Sequence, residues 1–183
     1  MTTYPIFLSA NWQHTSQVND LSAVECDWLF EQHSLTAKLK SRAQLFSVKV
    51  LSEQVFNLSQ EQQKLLNCTA SSALNREVLL MCDEIPMVYA QSWLPDNQLL
   101  NQSKNPLHNM GERPLGDVIF QNPDLVRKDI EIARFNTHHS LQQLVLDLGL
   151  PKQMLLGRRS VFSLKDYSFL VCEVFLPGAY LYS

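Results

Sequence analysis

Apolar positions recur at helical spacing over residues 20–33, where Leu21, Val24, Trp28 and Leu29 share a face and Asp20 or Ser22 can cap the start. Ser34 opens a second predicted helix through Leu35 and Leu39. Near Gln44 the period drops to two: Phe46, Val48 and Val50 alternate with Ser47 and Lys49, the pattern of a strand. Ser59-Gln-Glu-Gln62 has the form of a capping box and predicts a short helix through Leu65 and Leu66. Two β-rich runs, Leu74–Cys82 and Met87–Leu94, joined by the polar link 83–86, predict a hairpin. The chain is then polar and loop-like, and Asp96–Asn109 is the best candidate for a mobile loop. Residues 114–120 predict one short helix. Val126–Arg134 is expected to be one strand, with Ile130 and Ile132 on one face. Leu141, Leu144, Val145 and Leu148 predict a helix over 140–149. A last hairpin is expected to run from Arg158 to Leu164, turn at 165–167 and return from Ser168 to Leu176.

Helices come first and hairpins follow, without regular βαβ alternation. That order predicts an α+β fold, a single domain over residues 1–183 with an antiparallel sheet flanked by helices. At 183 residues and 45% hydrophobic content the chain can bury one sizeable core without metal or disulfide staples. The net charge of -3, with no basic block, argues against nucleic acid. Cys26, Cys68, Cys82 and Cys172 form no CxxC pair and read as reduced residues; no His/Cys cluster has zinc spacing. No leader peptide or membrane-length apolar run is present, so a cytoplasmic, membrane-free protein is expected. His138-His139 reads as surface loop, Arg158-Arg159 as a solvated strand end, and Trp12, Trp28 and Trp93 as packing residues. Five glycines form no phosphate loop, and no nucleophile elbow occurs.

Two charges stand where strands should be apolar. Alternation puts Arg76 on one face with Leu74, Val78, Leu80 and Cys82, and Glu173 with Phe169, Val171 and Phe175. Desolvating a lone charge costs several kcal/mol or more. Either Arg76 and Glu173 pair with each other, or they reach water by snorkelling, or they serve a ligand.

At these residues the sequence resembles the chorismate–pyruvate lyase family. The resemblance runs from about Trp28 onward through Asp27-Trp-Leu, Ser34-Leu-Thr, Arg76-Glu-Val-Leu-Leu-Met-Cys82, Pro114-Leu-Gly116, Asp129-Ile-Glu-Ile-Ala-Arg134, Gly157-Arg-Arg-Ser160 and Glu173-Val-Phe-Leu-Pro177. Their order and spacing are more specific than any one of them. The resemblance implies a compact antiparallel sheet with a buried ligand pocket closed by flap-like segments, and a monomeric enzyme without cofactor or metal. It would convert chorismate to 4-hydroxybenzoate and pyruvate at the entry to ubiquinone synthesis. Carried over by residue, it implies the ligand carboxylate on Arg76, the 4-hydroxyl near Glu173, and backbone contacts from Leu35 and Leu115.

Three departures stand out. The family commonly has a second Arg where this chain has Gln91, which can hydrogen-bond a substrate but carries no charge. Leu35 replaces a Met of some relatives, and 136–154 reads as a surface insertion. Competing readings are a ligand-sensing domain like those of bacterial transcription regulators, which would bind an aromatic acid and catalyse nothing, a catalytically dead relative, and a lyase giving 3-hydroxybenzoate. The short chain ahead of Trp28, with no basic recognition helix, weighs against the sensor.

Overall fold

A computed structural model describes residues 1–96, 107 and 110–183; most of the predicted 96–109 loop lies outside the described residues. The described strands form one eight-stranded antiparallel sheet in the order β1-β6-β7-β8-β4-β3-β2, with β5 paired beside β6 on β7. Strands are β1 (Gln13–His14), β2 (Phe46–Asn57), β3 (Ser72–Cys82), β4 (Ile85–Pro95), β5 (Leu125–Arg127), β6 (Glu131–Phe135), β7 (Leu155–Leu164) and β8 (Tyr167–Phe175). Helices are α1 (Ala23–Leu29), α2 (Leu35–Lys40), α3 (Gln60–Leu66), α4 (Leu115–Ile119) and α5 (Leu141–Asp147).

The starts of α1, α2 and α3 follow from their caps. The hydroxyls of Ser22 and Ser59 accept from the backbone N–H of Glu25 and Gln62, whose side chains return to the cap N–H groups. Ser34 caps α2 through Ala37 N–H at 3.2 Å. The β3–β4 turn is only Asp83-Glu84, both with positive φ, and the Asp83 carboxylate accepts from Gln44 and Leu45 N–H.

Three sequence expectations change. The predicted strand 126–134 is two strands, β5 and β6, which pair with different halves of β7 and are separated by 128–130. The final turn is Lys165-Asp166, and Tyr167 already pairs with Leu164. The stretch 136–154 is not a surface appendage: Leu141, Leu144 and Val145 of α5 are buried against Phe135, Leu155 and Val174. His139 lies there too, half-buried, with its ring 4.9 Å from that of Phe135.

The sheet is covered on both faces. Trp28 and Leu29 of α1 and Leu35 and Leu39 of α2 pack on Val78, Leu80, Val88 and Phe175. On the far face α5 covers one half, while α3 covers the other through Leu66 against Trp93, Leu170 and Cys172. No helix among the described residues is long and apolar enough to cross a membrane.

Candidate active site

A largely apolar cavity lies between the sheet and the starts of α2 and α4. Its walls include Leu35 and Thr36, Leu115 and Gly116, and Val78, Ala90, Phe162 and Val171 of the sheet. Its charged lining is Arg76, Arg127 and Glu173. Strand register explains the convergence. Arg76 lies opposite Ser92, and Glu173 opposite Ala90 on the same face of β4. Arg76 and Glu173 are therefore two strands apart, about 10 Å across the sheet, and two residues apart along it, about 7 Å. Long side chains from such positions reach opposite ends of one six-membered ring.

Arg76 and Glu173 do not pair with each other. Arg76 is 2% exposed. Its Nη1 donates to Glu53 at 2.6 Å, and its Nη2 donates to the carbonyls of Gly111 at 2.6 Å and Arg113 at 3.3 Å. Glu53 sits directly across the β2–β3 ladder. Glu173 accepts at 2.7 Å from Nε of Arg158, its register partner on β7. Arg158 is 2% exposed, so the solvated strand end expected of Arg158-Arg159 is corrected. Its Nη1 donates to the Trp28, Leu29 and Glu31 carbonyls at the end of α1. The Trp28 and Leu29 carbonyls, in the last turn of α1, lack partners within the helix and carry its negative dipole end, which suits a guanidinium. Arg159 points to the far face, where it pairs with Glu131 and covers the Trp12 ring.

Leu35 and Leu115 begin α2 and α4, so each presents a backbone N–H outside the helical ladder on the cavity side. Gly116 lets the two starts meet: a Cβ there would stand 2.9 Å from Thr36 Oγ1 and 3.0 Å from Ser34 Oγ. Gly116→Ala should force them apart at about 1–3 kcal/mol. Thermal melts should show a lowered midpoint, and aromatic-acid affinity should fall; an unchanged affinity would mean that this close approach does not shape the cavity.

Gln91, expected to bind substrate, has its amide already engaged by protein groups. It borders the cavity, but both ends of its amide are engaged on the far face. Its Nε2 reaches Glu77 and the Ile6 carbonyl at 2.8 Å and the Tyr89 hydroxyl at 3.1 Å, while its Oε1 accepts from Trp93. Glu77 is fully buried, its Oε2 has no partner, and it forms no ion pair among the described residues. Burial pushes its carboxyl above the usual range, against hydrogen bonds from Gln91, Ile6 and Tyr89. Between the unfolded and the raised folded value, the native chain holds a proton that the unfolded chain has released. Stability from this group therefore falls as pH rises through that window. Glu77→Gln keeps an acceptor for Ile6 and Gln91 and removes the titration, so urea midpoints across the window should flatten. An unaltered slope would assign the pH dependence elsewhere.

No group of three or more metal-ligating side chains is placed to hold an ion among the described residues. The four cysteines are free; Cys82 and Cys172 are buried, and burial pushes the Cys172 thiol up to about 12.

Comparison with known proteins agrees with the geometry. A family model described as chorismate lyase matches residues 6–183. The probable chorismate pyruvate-lyase of Pseudoalteromonas translucida is 72% identical over 182 residues, covering 100% of both chains. That of Psychromonas ingrahamii is 35% identical over 183 residues, covering 100% of this chain and 98% of its own. Among solved structures, the effector domain of PhnF from Mycobacterium smegmatis superposes with a TM-score of 0.59 at 13% identity, covering 80% of this chain and 90% of that one. At that identity the likeness is one of fold alone. With a family match across nearly its whole length and a full-length relative at 72% identity, the chain belongs to the chorismate lyase family.

Proposed function

We propose that this chain is a chorismate–pyruvate lyase, releasing 4-hydroxybenzoate and pyruvate in the cytoplasm as the entry step of ubiquinone synthesis, and that it acts as a monomer. The observation that carries this reading is that Arg76 and Glu173 both line one largely apolar cavity in a member of the chorismate lyase family.

Chorismate holds its own driving force. The C3–O ether bond breaks with its electron pair moving to the enolpyruvyl oxygen, and the C4–H pair enters the ring, which becomes aromatic. The proton released from C4 ends on the methylene carbon of the enol, giving pyruvate. No atom is gained or lost, and no oxidant is needed. The protein's task is to hold the ring and the arm in reactive geometry and keep water out.

In this reading Arg76 binds the ring carboxylate, with the N–H groups at Leu35 and Leu115 aiding it. Glu173 accepts a hydrogen bond from the 4-hydroxyl, held in orientation by Arg158. The test is purified protein with chorismate, with both products followed by chromatography. 4-Hydroxybenzoate and pyruvate in equal amounts are expected. Tight 4-hydroxybenzoate binding without turnover would replace the enzyme with a sensor, and 3-hydroxybenzoate would change the regiochemistry.

A further inference from the structure

Chorismate is a dianion, and Arg76 accounts for only one of its two carboxylates. Gln91, at the position where a second Arg would stand, has its amide engaged across the sheet. Among the described residues that line the cavity there is one more cation. Arg127 ends β5 and lies opposite Phe162, which puts it on the same sheet face as Arg158 and Glu173. It lines the cavity, and its guanidinium lies over the rings of Phe162 at 4.6 Å and Phe120 at 5.4 Å. Its Nη1 donates to the Glu31 carbonyl at 2.7 Å. Its Nε is buried and has no hydrogen-bond partner.

The nearby carboxylates are already taken: Glu53 by Arg76, Glu173 by Arg158, Glu31 by Lys38. Arg127 forms no ion pair among the described residues. Burial and the charge of Arg158, against the attraction of Glu173 and Glu31, pull its pKa down to about 10, so it stays charged at neutral pH. A buried, charged guanidinium with an unsatisfied N–H is costly to leave without an anion.

We infer that Arg127 is the anchor for the second carboxylate of the substrate, the one on the enolpyruvyl arm. Its Nη1 is held by Glu31, so the Nε edge is the one presented to the ligand, and that edge takes a carboxylate side-on. The rings of Phe120 and Phe162, set edge to face against each other, both pack on the guanidinium and hold it in place. The cation then sits beside the arm that departs, where negative charge gathers on the enolpyruvyl oxygen as the C3–O bond breaks. The site is thereby matched to a diacid, and the product, which keeps only the Arg76 carboxylate, loses one of the two anchors.

This assignment rests on the lyase reading, and the experiment separates the two. Arg127→Met keeps apolar bulk against the two Phe rings and removes the charge. Calorimetry with 4-hydroxybenzoate and with chorismate, beside turnover kinetics, is run on the wild type, Arg127→Met and Arg127→Lys. In Arg127→Met, kcat/KM for chorismate should fall about 10- to 100-fold, the loss of one buried charge-assisted contact. Its 4-hydroxybenzoate affinity should stay within about twofold, which also certifies the fold. Arg127→Lys should recover part of the chorismate loss through its point charge. Equal losses for both ligands, or no loss for chorismate, would overturn the assignment. A wild type that binds both acids but does not turn over chorismate would sink the lyase reading alone, since the ratio of the two affinities would still report on Arg127. A wild type that binds neither overturns both.

Discussion

Arg76→Ala is expected to abolish chorismate turnover and 4-hydroxybenzoate binding together. Arg76 is the one cation of β3, and its guanidinium plane is fixed by Glu53 and by the carbonyls of Gly111 and Arg113. Such preorganisation means that a carboxylate arriving from the cavity meets an oriented donor and loses little in ordering it. Truncating one partner of a buried charge pair costs about 2–5 kcal/mol, which is roughly 30-fold to several-thousand-fold in affinity. The fold should survive, because Glu53 is 35% exposed and returns to water when its partner goes. Arg76→Lys separates charge from shape: it keeps the cation and loses the planar fork, so an intermediate affinity is expected. Calorimetry with 4-hydroxybenzoate and steady-state chorismate kinetics measure both effects. Arg76→Ala that still bound the product at wild-type strength would remove Arg76 from the site.

The fold was readable wherever local rules act alone. Ser34 and the Ser59-to-Gln62 capping box marked helix starts, and strand alternation put Arg76 and Glu173 on their observed faces. What escaped depends on register. An arm that begins at Arg158 makes Arg158-Arg159 a strand end; β7 begins at Leu155, and the two-residue turn sets Arg158 inside the sheet opposite Glu173. A second slip hid Arg127. Reading 126–134 as one strand assigns faces by parity from Ile130 and Ile132, but the break at 128–130 resets the parity and sends Arg127 inward. The engagement of the Gln91 amide is hidden for another reason. Its face follows from alternation, yet Glu77, Ile6 and Trp93 converge on it from other parts of the chain, and no local pattern announces such a set. The site was thus half legible: its two strand charges carried a signal, and their partners came only with the pairing.

Arg158→Met should damage stability and chemistry at once, and a second substitution should divide the two. Arg158 holds Glu173 through Nε at 2.7 Å and ties β7 to the end of α1 through three carbonyls. Glu173 is 16% exposed, so without Arg158 its charge is left in a mostly dry place. Breaking a buried pair on one side costs about 3–5 kcal/mol, chiefly through the stranded charge. The loss should appear as a large drop in the urea midpoint together with lost turnover. Adding Glu173→Gln removes the stranded charge, so Arg158→Met/Glu173→Gln should regain a good part of the stability while staying inactive. Glu173→Gln alone leaves Arg158 buried with carbonyl partners only, and should lose turnover while keeping product binding through Arg76. The interaction energy from this cycle measures the coupling of the pair directly. If Glu173→Gln turned over chorismate at the full rate, the carboxylate would have no part in the chemistry. The Arg158–Glu173 pair would then be a strut that fastens the last hairpin to the first helix.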